Sequence, residues 1–164
     1  MADTYISACF AFACHPDEWE RLREAFLLAM DLSTGLEPDP PSAEFMALFP
    51  SDGEGRWNGF LDLFDDPDFP DFGADLAGGP DQGGCMALIS AERDFQPDPV
   101  ARLIQRCCQS TLAATPVGFE WSVTCSRQRV GEFGGGWCVV FPDRVAIEST
   151  SEGIRKALQT SNPS

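Results

Sequence analysis

The sequence predicts an α+β fold built on an antiparallel sheet. Three observations carry that expectation. An apolar strand followed by a proline-opened amphipathic helix occurs twice, the two copies eighty-one residues apart. A second strand candidate follows each helix, and one of these alternates apolar and polar side chains over eight positions, as a strand with one buried and one wet face does. Two further short strands and a helix-start signal close the chain.

Tyr5 to Cys14 (YISACFAFAC) is apolar and rich in β-formers, and reads as a strand covered on at least one face. Pro16 opens a helix at a position where its missing N–H costs nothing. Asp17, Glu18 and Glu20 fall in the first turns, where the helix dipole favours anions. Trp19, Leu22, Phe26 and Met30 recur at helical spacing and predict a buried stripe. The second copy has its strand at Cys85–Ala91. Its helix is expected to be capped by Asp98, with Pro99 at the first helical position and Val100, Leu103, Ile104, Cys107 and Leu112 as the stripe. The two helix starts also align, HPDEWERL at 15–22 against QPDPVARL at 96–103, with four identities in eight positions.

Trp57–Phe64 is the strand candidate after the first helix and Phe119–Ser126 the one after the second. In the latter Phe119, Trp121, Val123 and Cys125 share one face, and Glu120, Ser122, Thr124 and Ser126 the other. Trp137–Phe141 and Arg144–Glu148 form a pair joined at Pro142-Asp143, and Ser149 with Glu152 makes a capping box for a last short helix. The expected sheet thus has strands near 4–13, 57–64, 85–91 and 117–126, with helices near 16–31 and 98–113 on one face. Two β-α-β units in succession are the ferredoxin-like split β-α-β arrangement, here with an extra C-terminal β-hairpin and short helix. A single domain over 1–160 is expected, with a long acidic Pro/Gly-rich insertion at about 37–84 and a disordered tail at 161–164.

The charge is unevenly spread. Residues 1–36 carry six acidic and two basic side chains, residues 37–98 fifteen and two, and residues 99–164 five and seven. The net −15 of the 164-residue chain therefore belongs almost wholly to its middle. A field of that sign repels nucleic acid and membrane surfaces and steers basic protein surfaces toward it. Thirteen phenylalanines and 43% hydrophobic residues argue against global disorder. No apolar run approaches the roughly 18–20 residues of a membrane span, and Met-Ala-Asp-Thr lacks the basic start of a secretory signal, so the cytoplasm is the expected location. The seven cysteines are odd in number and contain no Cys-x-x-Cys pair, so reduced, structural thiols are expected.

The densest acidic stretch runs from Asp62 to Asp75, with Asp62, Asp65, Asp66, Asp68, Asp71 and Asp75 interleaved by Phe64, Phe69 and Phe72. Two readings stay open. In one it is a solvated loop whose phenylalanines pin it to the domain. In the other the carboxylates of an extended chain stand where phosphates would, at spacings comparable to the one charge per about 1.7 Å of B-DNA, and the phenylalanines set the spacing or anchor an interface. Calcium is a third use for clustered aspartates, but no stretch has the Asp-x-Asp-x-Asp-Gly loop with its distal Glu, so no metal or other cofactor is expected.

The second notable stretch is FEWSVTCSRQR at 119–129 followed by GEFGGGW at 131–137. It has no Gly-Lys-Ser/Thr and starts no helix, so it is not a phosphate loop. It reads as a long hairpin whose glycines adopt positive φ, with Trp137 restarting the strand. Arg127 and Arg129 at its base are placed to pair with acidic residues of the middle segment. The Phe-Glu-Trp-Ser-x-Thr-Cys-Ser-x-x-Arg-x-x-Glu-Phe-Gly-Gly-Gly pattern resembles a family of small acidic proteins carried by phages, plasmids and integrative elements. The resemblance spans roughly residues 117–148. It departs from the family at Arg127-Gln128-Arg129, where Lys-Pro-Arg is usual, and at Trp137, where a small residue is usual. It implies a mobile-element origin and no catalytic residues.

Residue chemistry points the same way. With His15 as the one histidine, no Ser-His-Asp set exists without it, and adjacent Cys14 and His15 point to opposite faces of a strand. The expected function is counter-defence: an anti-CRISPR or anti-restriction protein, a DNA mimic that binds a Cas effector subunit or a restriction enzyme through the six aspartates and Phe64, Phe69 and Phe72. An immunity or antitoxin-like protein that blocks a basic toxin enzyme is the alternative. A small-molecule-binding module using the glycine hairpin is the third.

Overall fold

The computed structural model describes residues 1–160; the tail expected to be disordered, 161–164, lies outside them. The fold is α+β, with six antiparallel strands in one open sheet and helices packed on it. In chain order the elements are β1 (Thr4–Ala13), α1 (Pro16–Thr34), α2 (Ala43–Leu48), α3 (Asn58–Leu61), β2 (Asp75–Asp81), β3 (Gly84–Ala91), α4 (Pro97–Cys107), α5 (Gln109–Ala114), β4 (Val117–Cys125), β5 (Gly134–Val140), β6 (Val145–Ser149) and α6 (Thr150–Thr160). The strand order is β2-β3-β1-β4-β5-β6.

Period-two alternation decides which strand residues face the helices. Phe10 and Phe12 of β1 stand opposite Ile89 and Ala87 of β3. Phe119 of β4 stacks on Phe10 at 4.5 Å between ring centroids and pairs across the ladder with Cys138 of β5. Leu22, Ala25, Leu28 and Ala29 of α1, and Val100, Leu103, Ile104 and Cys107 of α4, close one core over those residues. The two helices also touch each other. The expected α4 stripe is buried throughout, and so is Leu112, which belongs to α5 because the helix breaks at Cys108. On α1 the buried stripe is rotated from the expected one: Leu22 is core, Trp19 and Phe26 pack at its margin, and Met30 is exposed.

Buried Glu18 fastens the N-terminal end of α1. Its carboxylate accepts hydrogen bonds from the His15 backbone N–H at 3.0 Å, from Thr111 Oγ1 at 2.5 Å and from the Thr111 backbone N–H at 3.2 Å, joining α1 to α5. A buried carboxylate is tolerable only when its oxygens are satisfied in this way. α4 begins two residues earlier than expected, at Pro97, with Gln96 as its cap. The Ser149–Glu152 capping box forms, with both reciprocal backbone bonds in place at 2.9 and 3.2 Å.

The strand expected at 57–64 is not one. Those residues form the short helix α3 and the turn after it, and the strand paired outside β3 is Asp75–Asp81 (DLAGGPD). Apolar side chains at 57–64 are satisfied by burial: Phe60, Leu63 and Phe64 enter the core and Trp57 packs at its margin. A strand would have pointed alternate members of the set into water. The segment expected as an insertion, 37–84, therefore contributes two helices and an edge strand to the domain.

Gly134–Gly136 also differ from expectation. They lie inside β5, and none takes positive φ; Gly131 in the preceding loop does, at 81°. Room for a neighbour explains them. A Cβ on Gly135 would collide with the Trp121 carbonyl oxygen, and one on Gly136 would sit 2.6 Å from Trp121 Cη2 and 2.7 Å from the Glu148 carbonyl oxygen. The indole of Trp121 thus lies where a side chain at 136 would be. Gly136→Val should cost about 1–3 kcal/mol, the usual penalty of overpacking, read as a lower urea midpoint, whereas Gly131→Asn, which meets no neighbour and suits a left-handed residue, should shift it little.

Candidate functional site

The acidic segment is rooted by aromatic packing. Phe45 of α2, Phe49 just after it, Phe60 of α3, and Phe64 and Phe72 beyond form one connected cluster. Phe45–Phe49 centroids are 4.9 Å apart, Phe49–Phe60 and Phe60–Phe64 5.5 Å, and Phe64–Phe72 4.8 Å. Phe72 also packs on Phe26 of α1 at 4.8 Å, which ties the cluster to the sheet-covering helix. All five cluster rings are buried.

Polar contacts fix the same segment at its backbone. Ser42 caps α2 by accepting the Phe45 N–H at 3.2 Å, and is itself held by α1: its N–H donates to Glu24 at 2.7 Å, and Arg21 donates to its hydroxyl at 2.8 Å. From α4, Arg106 donates to the Leu48 carbonyl at 2.9 Å and Arg102 to the Leu63 carbonyl at 3.2 Å. Arg106 thereby satisfies an orphan carbonyl at the end of α2, and Arg102 one in the turn after α3. Gly73, at φ 64°, lets the chain approach Asp94 so closely that a Cβ would strike the Asp94 carbonyl oxygen, and Gln96 N–H donates to the Phe72 carbonyl at 3.1 Å.

On this frame Asp62, Asp65, Asp66, Asp68, Asp71 and Asp75 are all exposed. Among the described residues none of the six forms an ion pair. Asp66 and Asp71 accept local backbone N–H groups, from Asp68 at 3.1 Å and Gly73 at 2.8 Å, and so shape the turns. Arg127 and Arg129 lie exposed in the β4–β5 loop and pair with no acidic side chain among the described residues, contrary to expectation.

The phenylalanines divide. Phe64 is 7% and Phe72 2% exposed, so both are core pins, unable to reach a partner while the segment is folded; Phe69 is 69% exposed and is free to do so. The chain from Asp62 to Ala74 runs in bends and turns, not extended. Buried Phe64, Pro70 and Phe72 fold it back on the core, so the carboxylates are not spaced by the rise of an extended strand.

The other candidate chemistry, the thiols, is buried at Cys85, Cys107, Cys108 and Cys138, partly buried at Cys14 and Cys125, and exposed at Cys9. All seven cysteines are free thiols. Cys14 lies across the β1–β3 ladder from Cys85 with the sulfurs 4.0 Å apart, and burial first, then its neighbour Cys85, pushes the Cys14 thiol up to about 12. Burial pushes Cys138 up to about 12 as well, and raises Cys107 and Cys108 further still. Thiols held protonated are poor nucleophiles. Among the described residues no group of three or more His, Cys, Asp or Glu is placed to hold a metal ion, and no helix is long and apolar enough to cross a membrane.

Sequence reading missed two features here. The Arg21–Glu24–Ser42 network leaves no sequence signal, because its partners are 18 to 21 residues apart. The exposed apolar side of α1, at Leu27 and Met30, did leave one: Ala25 to Met30 (AFLLAM) is apolar at six consecutive positions, more than a single buried stripe can use. Searches against protein-family models, curated proteins and solved structures find no match to this chain.

Two outcomes follow. Phe72→Ala should destabilise by about 3–5 kcal/mol, the range for a buried Phe, whereas Phe69→Ala should stay within about 0.5 kcal/mol, as exposed substitutions do; urea melts of both variants check this. In native protein at pH 8, iodoacetamide followed by peptide mass mapping should label exposed Cys9 first, with Cys107 and Cys108 labelled only after unfolding.

Proposed function

We propose that this protein is a non-catalytic counter-defence inhibitor of a mobile genetic element, of the anti-CRISPR or anti-restriction kind. It binds a basic nucleic-acid-binding protein, a Cas effector subunit or a restriction enzyme, through the acidic face at 62–75 and so occupies the path of DNA or RNA. The observation that carries the reading is the six exposed, unpaired aspartates on a segment whose phenylalanines and backbone are fastened to the core. A loosely tethered acidic loop would lose much of its gain on binding to ordering entropy; a held one does not. Arg102 and Arg106 donate to carbonyl oxygens, Arg23 pairs with Glu20 and Arg93 donates to the Tyr5 hydroxyl, so none of these four arginines pairs with the six aspartates. The mobile-element setting rests on the resemblance at 117–148.

The mimicry is of field, not of a phosphate ladder, since the segment is turned and not extended. The scaffold reading is ferredoxin-like. It is supported by the order β2-β3-β1-β4, with α1 between β1 and β2 in sequence and α4 between β3 and β4, and β5, β6 and α6 extend it at one edge.

The test is phage plating on cells that carry a CRISPR–Cas or restriction system. Expression of the parent should restore plaques, and the variant with all six aspartates changed to Asn should restore far fewer, while its melting temperature holds or rises as self-repulsion is removed. Binding of the captured partner should fall steeply with added salt, because the Debye length is only about 8 Å at physiological ionic strength. Restoration by the neutralised variant equal to that of the parent would end the charge reading. A toxin nuclease as the captured partner would replace counter-defence by immunity.

A further inference from the structure

Beside the acidic segment, between α1 and the start of β2, opens a cleft of about 510 Å³. Phe26 and Phe72 form its floor, already packed on each other. Leu27 and Met30 of α1 form one wall, 44% and 54% exposed, and Asp71 and Asp75 form the rim opposite. Neither aspartate forms an ion pair among the described residues, whereas the cation at the cleft, Arg23, is taken up by Glu20 at 2.9 Å. The cleft is thus apolar inside and negative at one edge.

We infer that this cleft is the docking groove for an amphipathic α-helix of the partner, with apolar side chains on one stripe and Lys or Arg beside it. The inference rests on the acidic-docking reading above and names the part of the partner that the site takes. Charge complementarity selects the occupant. A neutral apolar segment would leave Asp71 and Asp75 desolvated without a partner, and an acidic one would be repelled. Length selects the helix. α1 lines the cleft from Trp19 to Ser33, about 21 Å at 1.5 Å per residue, long enough to lie beside a helix presenting residues at i, i+3 or i+4, and i+7. Met30 suits such a wall, because an unbranched thioether adapts to the side chains it meets. The apolar contact gives the interface what dispersed carboxylates lack, a desolvated centre inside a charged rim.

The experiment uses the full chain and a fluorescein-labelled 15-residue Leu/Lys peptide with helical periodicity, compared by anisotropy with a shuffled peptide of the same composition. The helical peptide should bind at least ten-fold more tightly at physiological salt, and a Leu/Glu version should not bind. The double variant Leu27→Ser/Met30→Ser should weaken the helical peptide at least five-fold, leave the shuffled one unchanged and keep the parent melting temperature; Met30→Ser alone serves if the double variant melts early. Equal binding of helical and shuffled peptides, or parent-like binding by the Leu27/Met30 variants, overturns the groove. If the six-aspartate variant loses the peptide while the Leu27/Met30 variants keep it, the acidic face stands and the groove falls. If neither set changes binding, both readings fall.

Discussion

The structure depends on a ring-on-ring contact. Phe72 packs between Phe64 and Phe26, and through it the most acidic stretch of the chain is joined to the helix that covers the sheet. The magnitudes favour that contact over the charge it must hold. Burying one phenylalanine yields about 1.5–3 kcal/mol, and five buried rings from Phe45 to Phe72 act together. The exposed aspartates repel one another through water and salt, where each pair costs a fraction of that. A strongly charged segment therefore folds as part of the domain without neutralising its charge, and the arginines of α4 remain available for backbone carbonyls.

Much of the sheet could be read from the sequence, because burial leaves apolar runs in β1 and β3 and a period-two alternation in β4. Phe119 was readable as an inward residue before any coordinates, whereas in the uniformly apolar β1 and β3 only the ladder shows that Phe10, Phe12 and Ile89 face the core. β2 was not. Its residues, Asp75-Leu-Ala-Gly-Gly-Pro-Asp81, have the composition of a turn, and they form a strand because β3 offers an open edge and an edge position tolerates Pro80. Trp57–Phe64 has the composition of a strand and becomes a helix and turn, because Phe60 and Phe64 must both reach a cluster that lies off the sheet. Tertiary burial overrode local propensity in both places.

At the candidate site, the sequence located the charge but could not apportion the phenylalanines. Phe64, Phe69 and Phe72 sit in near-identical local surroundings, and only the fold separates two core pins from one exposed ring. The glycines at 134–136 carry a similar lesson. Read alone they suggest a hairpin loop with glycines at positive φ. In the sheet they make space for the indole of Trp121, thirteen to fifteen residues earlier in the chain, on the strand that pairs with them. Gly135 and Gly136 are therefore a packing solution for β4, β5 and β6.

α1 is the element on which core and surface meet. A helix with six apolar residues in a row, Ala25 to Met30, cannot bury all of them against one sheet, since they cover more than a full turn. Ala25, Leu28 and Ala29 take the core; Leu27 and Met30 are left outward. A polar residue at either outward position would have served solubility at no cost to the core, because neither side chain is buried in it. The outward pair lies opposite the aspartates that the inward side of the same helix helps to hold, through Phe26 and Phe72. One rigid helix thus fixes both walls of the cleft relative to each other, so an apolar stripe and an acidic rim are presented at a set separation before any partner arrives. Such preorganisation lowers the entropic cost of binding.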